Sequence, residues 1–234
     1  MSSGAEEKIQ WRKEKSVCIQ DEPLLDAVYR GEDTELEYEL ERRYLPTRYL
    51  GIKELEQLSK GEKREITQGY ISAIDEAGEL VMFRMRSTNQ ENKEGTLYRI
   101  ARKFKIENSR AKIEEQLKFP PHDSDANDFS YLWERYVPKS EVISKTRYYI
   151  HHKLPNGHMC EIHYDIHHGR FEEFARIEVE FKGSTAEEDH QYVLDNGSAT
   201  TLPNWVGKDV SEDKRYGGST LAKLGAPTEV LEAQ

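Results

Sequence analysis

The sequence is poor in cysteine and contains no long apolar run. Its 234 residues include two cysteines, Cys18 and Cys160, which are too few for a zinc-ligand set and do not suggest a disulfide scaffold. No apolar stretch approaches the roughly 18 residues of a membrane-spanning helix. The first residues, MSSGAEEKIQWRKEK, lack the apolar segment of a signal peptide. We therefore expect a soluble, cytoplasmic protein without a membrane partner.

The chain is also low in hydrophobic residues. They make up 36% of the sequence, charged residues make up 33%, and the mean hydropathy is −0.87. Such values are typical of disordered chains when charged and apolar residues are mixed at random. A chain of this length can nevertheless bury about 70% of the surface that its unfolded form exposes. The net charge of −10 argues against a broad nucleic-acid-binding surface, so we expect no nucleic-acid partner.

The charged residues are not mixed at random. In residues 34–46, TELEYELERRYLP, every second side chain from Glu35 to Arg43 is charged, and the other register is apolar or aromatic except at Arg42. Successive side chains of a strand point to opposite faces, so this period predicts a strand. The same alternation recurs in EITQGYISAI, LVMFRMRS, LYRIARKFK, KIEEQLKF, SKTRYYI, CEIHYDI and RIEVEF. The sequence thus predicts at least eight strands, each with one apolar and one polar or ionic face.

The ionic face admits two interpretations. Antiparallel sheets with one solvated face are the commonest source of such alternation. However, whole strands here carry nearly one sign of charge, and neighbouring carboxylates raise each other's pKa unless a cation lies among them. A closed barrel, with its apolar faces outward under helices and its ionic faces around a wet lumen, would let acidic strands bind metal and basic strands bind an anion.

Six segments carry a family resemblance. They are ELERRYL, ITQGYI, FRMR, SKTRYYI, RIEVEF and LPNWVGKDVSEDKRYGGSTLA. In this order they resemble the E-x-E-x-K, Q-G-Y, R-x-R, K-T-R-Y, late E-x-E and C-terminal W-x-G-x-x-V-T-x-D-x-R-Y blocks of the CYTH superfamily, the triphosphate tunnel metalloenzymes. The resemblance implies a mainly β fold with flanking helices (α+β), built on an eight-stranded antiparallel closed tunnel barrel. It also implies divalent cations and hydrolysis or rearrangement of a triphosphate.

The resemblance covers residues 35–225 and implies a division of the chain. We expect residues 1–34 to be an N-terminal extension, either a short helix or a flexible arm. Residues 226–234 would form a C-terminal tail. Outside the strands, GIKELEQLSKG, DANDFSYLWERY and STAEEDHQYVL have apolar residues at helical spacing, so we expect them to cover the barrel's apolar exterior.

The matching positions imply three groups of site residues. The acidic blocks and the strand with Asp165 imply these ligands of Mg²⁺ or Mn²⁺: Glu39, Glu41, Asp165, Glu178 and Glu180. The basic blocks imply these substrate-binding cations: Arg84, Arg86, Lys103, Lys112, Lys145 and Arg147. The signature's cation and the tyrosine with which it pairs in the hydrolases correspond to Arg43 and Tyr70, which we expect to be catalytic.

The chain departs from the family pattern at three positions. Arg43 replaces the signature's lysine, and a guanidinium cannot give up its proton as an amine might. Gln116 takes the place of a second carboxylate in the strand after Lys112, and Ala101 replaces a threonine. These changes bear on rate and substrate more than on fold.

Three functions fit the sequence. The first is metal-dependent hydrolysis of inorganic tripolyphosphate or a small organic triphosphate. The second is a class IV adenylyl cyclase, although the His-Phe pair that usually precedes the signature is absent from residues 20–38. The third is a catalytically weak or inactive polyphosphate- or nucleotide-binding protein. Phosphate-binding cations do not reveal what hangs from the far phosphate, so the sequence does not select the substrate.

Overall fold

The computed structural model describes residues 17–31, 34–90, 95–106, 109, 111–119, 125–172 and 174–227. Ten strands lie among them: β1 (Val17–Cys18), β2 (Glu35–Pro46), β3 (Lys63–Ile74), β4 (Leu80–Gln90), β5 (Thr96–Lys105), β6 (Lys112–Phe119), β7 (Ile143–Lys153), β8 (Met159–His167), β9 (Ala175–Phe181) and β10 (Val206–Asp209). The α-helices are α1 (Pro23–Arg30), α2 (Ile52–Leu58), α3 (Asp125–Tyr136), α4 (Ala186–Asn196), α5 (Ser198–Thr201) and α6 (Gly218–Leu224). None of the described helices is long and apolar enough to cross a membrane.

Eight of the strands close a barrel in the order β3, β4, β5, β6, β2, β9, β8 and β7, with β7 pairing back onto β3. Every pairing around this ring is antiparallel. Strand β2 closes the ring because its first half, from Glu35 to Glu39, pairs with β6 and its second half, from Leu40 to Tyr44, pairs with β9. The closed barrel is therefore confirmed, and the interpretation as a solvated sheet face is wrong.

The apolar strand faces point outward and form the core with the helices. On one side, Phe83 and Ile100 of the barrel pack with Phe129 and Leu132 of α3. On the other side, Ile177 and Val179 of β9 belong to a second cluster with Val193 of α4. Burial of these side chains fixes which face of each strand points to the lumen, because a one-residue slip would reverse every side chain.

Arg42 breaks the outward apolar register, and the fold accommodates its charge. Its side chain is buried outside the barrel, where Nη2 lies 2.6 Å from Asp209 Oδ2 and Nη1 lies 3.4 Å from His190 Nε2. Asp209 belongs to β10, which pairs with β2 beside Arg42. A buried cation is tolerated when it is paired, so Arg42 joins β10 and α4 to the barrel wall.

Segments at both ends of the chain also contact the barrel. Residues 17 and 18 pair in parallel with β3, and the fully buried Ile19, Leu25 and Val28 join the cluster under α3. At the other end, Leu221 and Ala222 of α6 pack with Ile143 of β7. Residues 1–16, 32–33 and 228–234 lie outside the described residues, so the division into extension, barrel and tail stays a prediction.

Gly69 of β3 marks the contact between the barrel and the segment that ends α3. A methyl group at Gly69 would lie 2.3 Å from Val137 Cγ1 and 3.4 Å from Trp133. We expect Gly69→Ala to lower the free energy of unfolding by about 1–3 kcal/mol, because overpacking forces neighbouring side chains to shift. Urea unfolding measures the change.

The matched control is Gly51→Ala, because Gly51 has an ordinary extended backbone (φ −68°) and nothing within 4 Å of an added methyl group. Equal stabilities of the two variants would show that Gly69 is not a close-packing position.

Candidate active site

The lumen contains a cavity of about 280 Å³ at one end of the barrel. All of the metal-binding, substrate-binding and catalytic residues predicted from the sequence line it except Asp165. They come from β2, β3, β4, β5, β6, β7 and β9, so residues far apart in sequence converge because their strands share one inner face. The segment 217–219, at the start of α6, borders the same cavity.

One wall of the cavity is acidic. Strands β2 and β9 are neighbours, and their register places Glu41 opposite Glu180 and Arg43 opposite Glu178. Carboxylate oxygens of Glu41, Glu178 and Glu180 all lie within 4.8 Å of one another, close enough to share one cation. Glu39 lines the same cavity, but its oxygens form a separate group with those of Glu37 and Glu114.

Neighbouring cations keep this acidic wall ionised. Burial raises the pKa of Glu178, but the guanidinium groups of Arg147 and Arg176 outweigh burial and hold that pKa well below its ordinary value. Burial also opposes ionisation of Glu41, yet Lys103 leaves its pKa lowered. Glu39 differs, because burial raises its pKa to about 7 even though Lys103 opposes the shift. At neutral pH the close carboxylates of Glu41 and Glu178 are therefore charged.

The facing wall is basic, and its members differ in how fully they are neutralised. Arg84 donates to Glu114, and Lys103 donates to Glu39 and lies 3.2 Å from Glu114. Among the described residues, Arg86 has only the neutral amide oxygen of Gln68, at 3.2 Å, and its buried Nε has no partner.

Arg86 therefore differs from the other cations, because no carboxylate of a described residue forms an ion pair with it. Burial, with Arg84 and Arg147 nearby, lowers the pKa of Arg86 to about 10, so its guanidinium is still protonated at neutral pH. A buried charge without a partner is costly, and an anionic ligand would remove that cost.

Asp165 lies behind the basic wall and does not reach the cavity. It is fully buried, and its Oδ2 accepts from Lys145 Nζ at 2.5 Å and from Arg147 Nη2 at 2.8 Å. Its Oδ1 accepts from Arg147 Nε at 2.7 Å. Burial and Arg147 lower the pKa of Lys145 to about 7. Metal binding by Asp165 stays a prediction, whereas the contacts present orient two cavity cations.

Arg43 and Tyr70 border the cavity beside the glycine pair that opens α6. Arg43 Nη2 lies 3.4 Å from Glu41 Oε1, and the Tyr70 hydroxyl accepts from Gln68 Nε2 at 2.9 Å. No hydrogen bond joins Arg43 to Tyr70 within the described part of the chain. A methyl group at Gly218 would lie 2.0 Å from the Tyr70 hydroxyl, so the absence of a side chain there leaves room for the phenol.

Sequence reasoning missed several cavity residues. Arg176 donates to Glu178 at 2.5 Å and to the Tyr216 carbonyl at 2.8 Å, so it ties the acidic wall to the C-terminal segment. It lies two positions before Glu178 and therefore on the same strand face, a signal that alternation alone could have supplied. Gln68 likewise lies two positions before Tyr70 and on the same face of β3. Gly218, by contrast, has no side chain, so alternation gives no signal for it.

No family model matches the chain. The inorganic triphosphatase of Nitrosomonas europaea is 30% identical over 157 residues, which cover 67% of this chain and 83% of that protein. A crystal structure of the inorganic triphosphatase NE1496 is 25% identical, covers 79% of this chain and 93% of that one, and has a TM-score of 0.43.

A third match is the PH1819 protein from Pyrococcus horikoshii OT3. It is 16% identical, covers 73% of this chain and 92% of that one, and has a TM-score of 0.42. Both TM-scores are below 0.5, so the family assignment rests on the sequence relative. This chain belongs to the CYTH superfamily, the triphosphate tunnel metalloenzymes.

Gln116, which stands where the family pattern has a second carboxylate, is a buried hydrogen-bond donor in this barrel. It is 1% exposed, and its Nε2 donates to Glu37 Oε2 at 2.8 Å. In Gln116→Glu, the new carboxylate would lie next to Glu37 and would have no N–H group to donate to it. Repulsion between the two negative charges would raise the pKa of the introduced glutamate. The variant's stability deficit should then grow as pH rises from about 4 and reach about 2–4 kcal/mol at pH 7.5.

Urea unfolding at pH 5 and pH 7.5 tests this expectation. Gln116→Met is the control, because it removes the donor without adding a charge and should show a deficit that is independent of pH. A deficit of Gln116→Glu that is equal at both pH values would contradict the account.

Proposed function

We propose that this protein hydrolyses a triphosphate, either inorganic tripolyphosphate or a small organic triphosphate, inside its tunnel barrel with Mg²⁺ or Mn²⁺. The observation that carries the proposal is one cavity with two complementary walls. The carboxylates of Glu41, Glu178 and Glu180 lie within 4.8 Å of one another, and Arg86, which forms no ion pair among the described residues, lines the same space. The relative named as an inorganic triphosphatase supports the same activity.

The acidic wall fits a hard divalent cation. All of its donors are carboxylate oxygens, which Mg²⁺ and Mn²⁺ prefer, and the closest group offers no nitrogen or sulfur atom. The residues that would hold the cation are Glu41, Glu178 and Glu180, and Glu39 stays a predicted ligand in the neighbouring group. A bound cation would neutralise charge on the phosphate oxygens and help to orient the attacking water.

The basic wall would bind and orient the substrate. Arg84 and Arg86 can each present two N–H groups to phosphate oxygens, whereas Lys103 acts as a point charge. Asp165 holds Lys145 and Arg147 in place, so these cations need not be reorganised when the substrate arrives. Fixed charges of this kind account for most of the rate enhancement in enzymatic phosphoryl transfer.

In the proposed reaction, water adds to a terminal phosphorus atom and the bond to the bridging oxygen breaks. Tripolyphosphate would give orthophosphate and diphosphate. A guanidinium has donors but no acceptor, so Arg43 would clamp a phosphate and would not take the proton of the water. That proton must pass to a carboxylate or to solvent.

A substrate panel tests the proposal. Tripolyphosphate, ATP and thiamine triphosphate are incubated with Mg²⁺ or Mn²⁺, and both orthophosphate and cyclic AMP are measured. Release of phosphate that depends on the cation is the expected result. Formation of cyclic AMP from ATP would make the protein an adenylyl cyclase, and tight binding without turnover would make it a polyphosphate or nucleotide binder.

Glu178 of the acidic wall can be tested as a metal ligand by substitution. Glu178→Gln removes one charge from the carboxylate group, so we expect kcat/KM to fall by at least about 100-fold, with part of the loss recovered at high Mn²⁺. Titration of activity against Mn²⁺ measures both effects. The control is Glu54→Gln, because Glu54 is a half-exposed helix residue paired with Arg48. A normal Mn²⁺ dependence of Glu178→Gln would exclude Glu178 as a ligand.

A further prediction concerns Arg43, which replaces the lysine of the family signature. Arg43→Lys restores a group that can share a proton near Tyr70. Activity should rise, or its pH profile should gain a limb between roughly pH 7 and 10, as expected when a depressed lysine or a tyrosine enters the rate law. Lost activity with an unchanged profile would show instead that Arg43 is fitted to this site as a guanidinium.

A further inference from the structure

The tunnel continues beyond the proposed reaction cavity. A second cavity of about 450 Å³ shares Glu39, Arg84, Arg86, Arg147 and Glu180 with the first, so the two cavities adjoin. Its remaining walls include Arg64, Arg99 and Tyr149, which lie toward the other end of the barrel. None of the residues predicted for the reaction from sequence belongs to this second cavity alone.

The strand register brings like charges together in this region. Arg99 of β5 lies directly opposite Arg86 of β4 and, on its other side, opposite Lys118 of β6. Arg64 of β3 likewise lies opposite Arg147 of β7. Side chains directly opposite on one face are close neighbours, and like charges in such pairs are destabilising. The fold therefore concentrates positive charge at one level of the tunnel.

Two of these cations form no direct ion pair within the part of the chain that the structure describes. Lys118 donates to Glu35, and the Arg64 guanidinium lies 4.4 Å from the centre of the Tyr149 ring and 3.6 Å from Glu62. Arg99 forms no ion pair within the described ranges, and its buried Nε has no hydrogen-bond partner. Arg86 is in the same position apart from its contact with an amide oxygen.

Other donors already engage the carboxylates of this cavity. Glu37 accepts from Gln116 at 2.8 Å, and Glu114 accepts from Arg84. Lys182 lies 2.7 Å from Glu161 and 3.1 Å from Glu180. Glu37 and Glu114 attract Arg99 and Arg86 from a distance but form no direct contact with them, so N–H groups of both arginines remain available to a ligand that carries oxygen anions.

We propose that Arg99, together with Arg86 and with Arg64 at its side, forms a second phosphate-binding site beyond the reaction cavity. It binds a phosphate group that lies outside the reacting triphosphate. That group is either the fourth phosphate of a longer linear polyphosphate or the orthophosphate released by hydrolysis. The identity of the anion rests on the proposed function. The position of the site rests on Arg86 and Arg99, which lie opposite each other on neighbouring strands.

Kinetics of Arg99→Gln distinguish the two sources. If a longer chain occupies the site, KM for tetrapolyphosphate should rise by about tenfold while KM for tripolyphosphate stays within about twofold, as expected for one lost charge-assisted hydrogen bond. If released phosphate occupies it, the inhibition constant of orthophosphate should rise by about tenfold and both KM values should hold. Arg99→Lys should recover part of either effect.

The matched control is Arg48→Gln, which removes the same charge from an exposed helix-associated ion pair. Constants of Arg99→Gln that all match this control would overturn the proposal. Equal increases in KM for both polyphosphates, without any change in orthophosphate inhibition, would also overturn it, because Arg99 would then belong to the reaction cavity.

A binding measurement separates this inference from the proposed function. Calorimetric titration of the intact protein with tripolyphosphate, tetrapolyphosphate and orthophosphate needs no turnover. A wild-type protein that hydrolyses nothing would refute the proposed function alone. The second site would still be supported if Arg99→Gln weakened binding of tetrapolyphosphate or orthophosphate, and it would fail if Arg99→Gln and Arg48→Gln bound all three anions equally.

Discussion

Charge balance inside a closed barrel is the constraint on which the rest of this structure depends. Charged side chains in a confined lumen are stable only when each meets an opposite charge or a ligand. Most of them do: Arg84 meets Glu114, and Lys145 meets Asp165. Two features of the lumen point to its ligands. The close carboxylates on β2 and β9 offer oxygen donors to a cation, and Arg86, which forms no ion pair among the described residues, can bind an anion.

The exterior of the barrel makes this charged interior possible. Outward apolar faces buried under α3 and α4 fix the orientation of each strand, and the orientation of the strands fixes which charges enter the lumen. Buried contacts then set the positions of individual groups. Asp165, for example, holds Lys145 and Arg147 in place from behind.

Much of this could be predicted from the sequence because alternation reports which face a residue occupies. It predicted at least eight strands and placed Glu41, Glu178 and Arg86 on their ionic faces, while the eight-stranded barrel was implied by the family resemblance. Alternation does not report the level of a residue along the tunnel, since that depends on register between strands distant in sequence. The opposition of Arg99 and Arg86, and the placement of Asp165 behind the cavity, appear only when the strands are paired. Gly218 gave no signal, because its role depends on where the Tyr70 hydroxyl lies.

The most direct test of the central claim is a crystal structure with Mn²⁺ and tripolyphosphate, in which anomalous scattering locates the metal. The account predicts Mn²⁺ within bonding distance of carboxylates from the group Glu41, Glu178 and Glu180, with phosphate oxygens bridging from the metal to Arg84 and Arg86. Metal bound only on the outer surface, or phosphate held away from both arginines, would contradict the claim that the carboxylates and arginines of the lumen define its ligands.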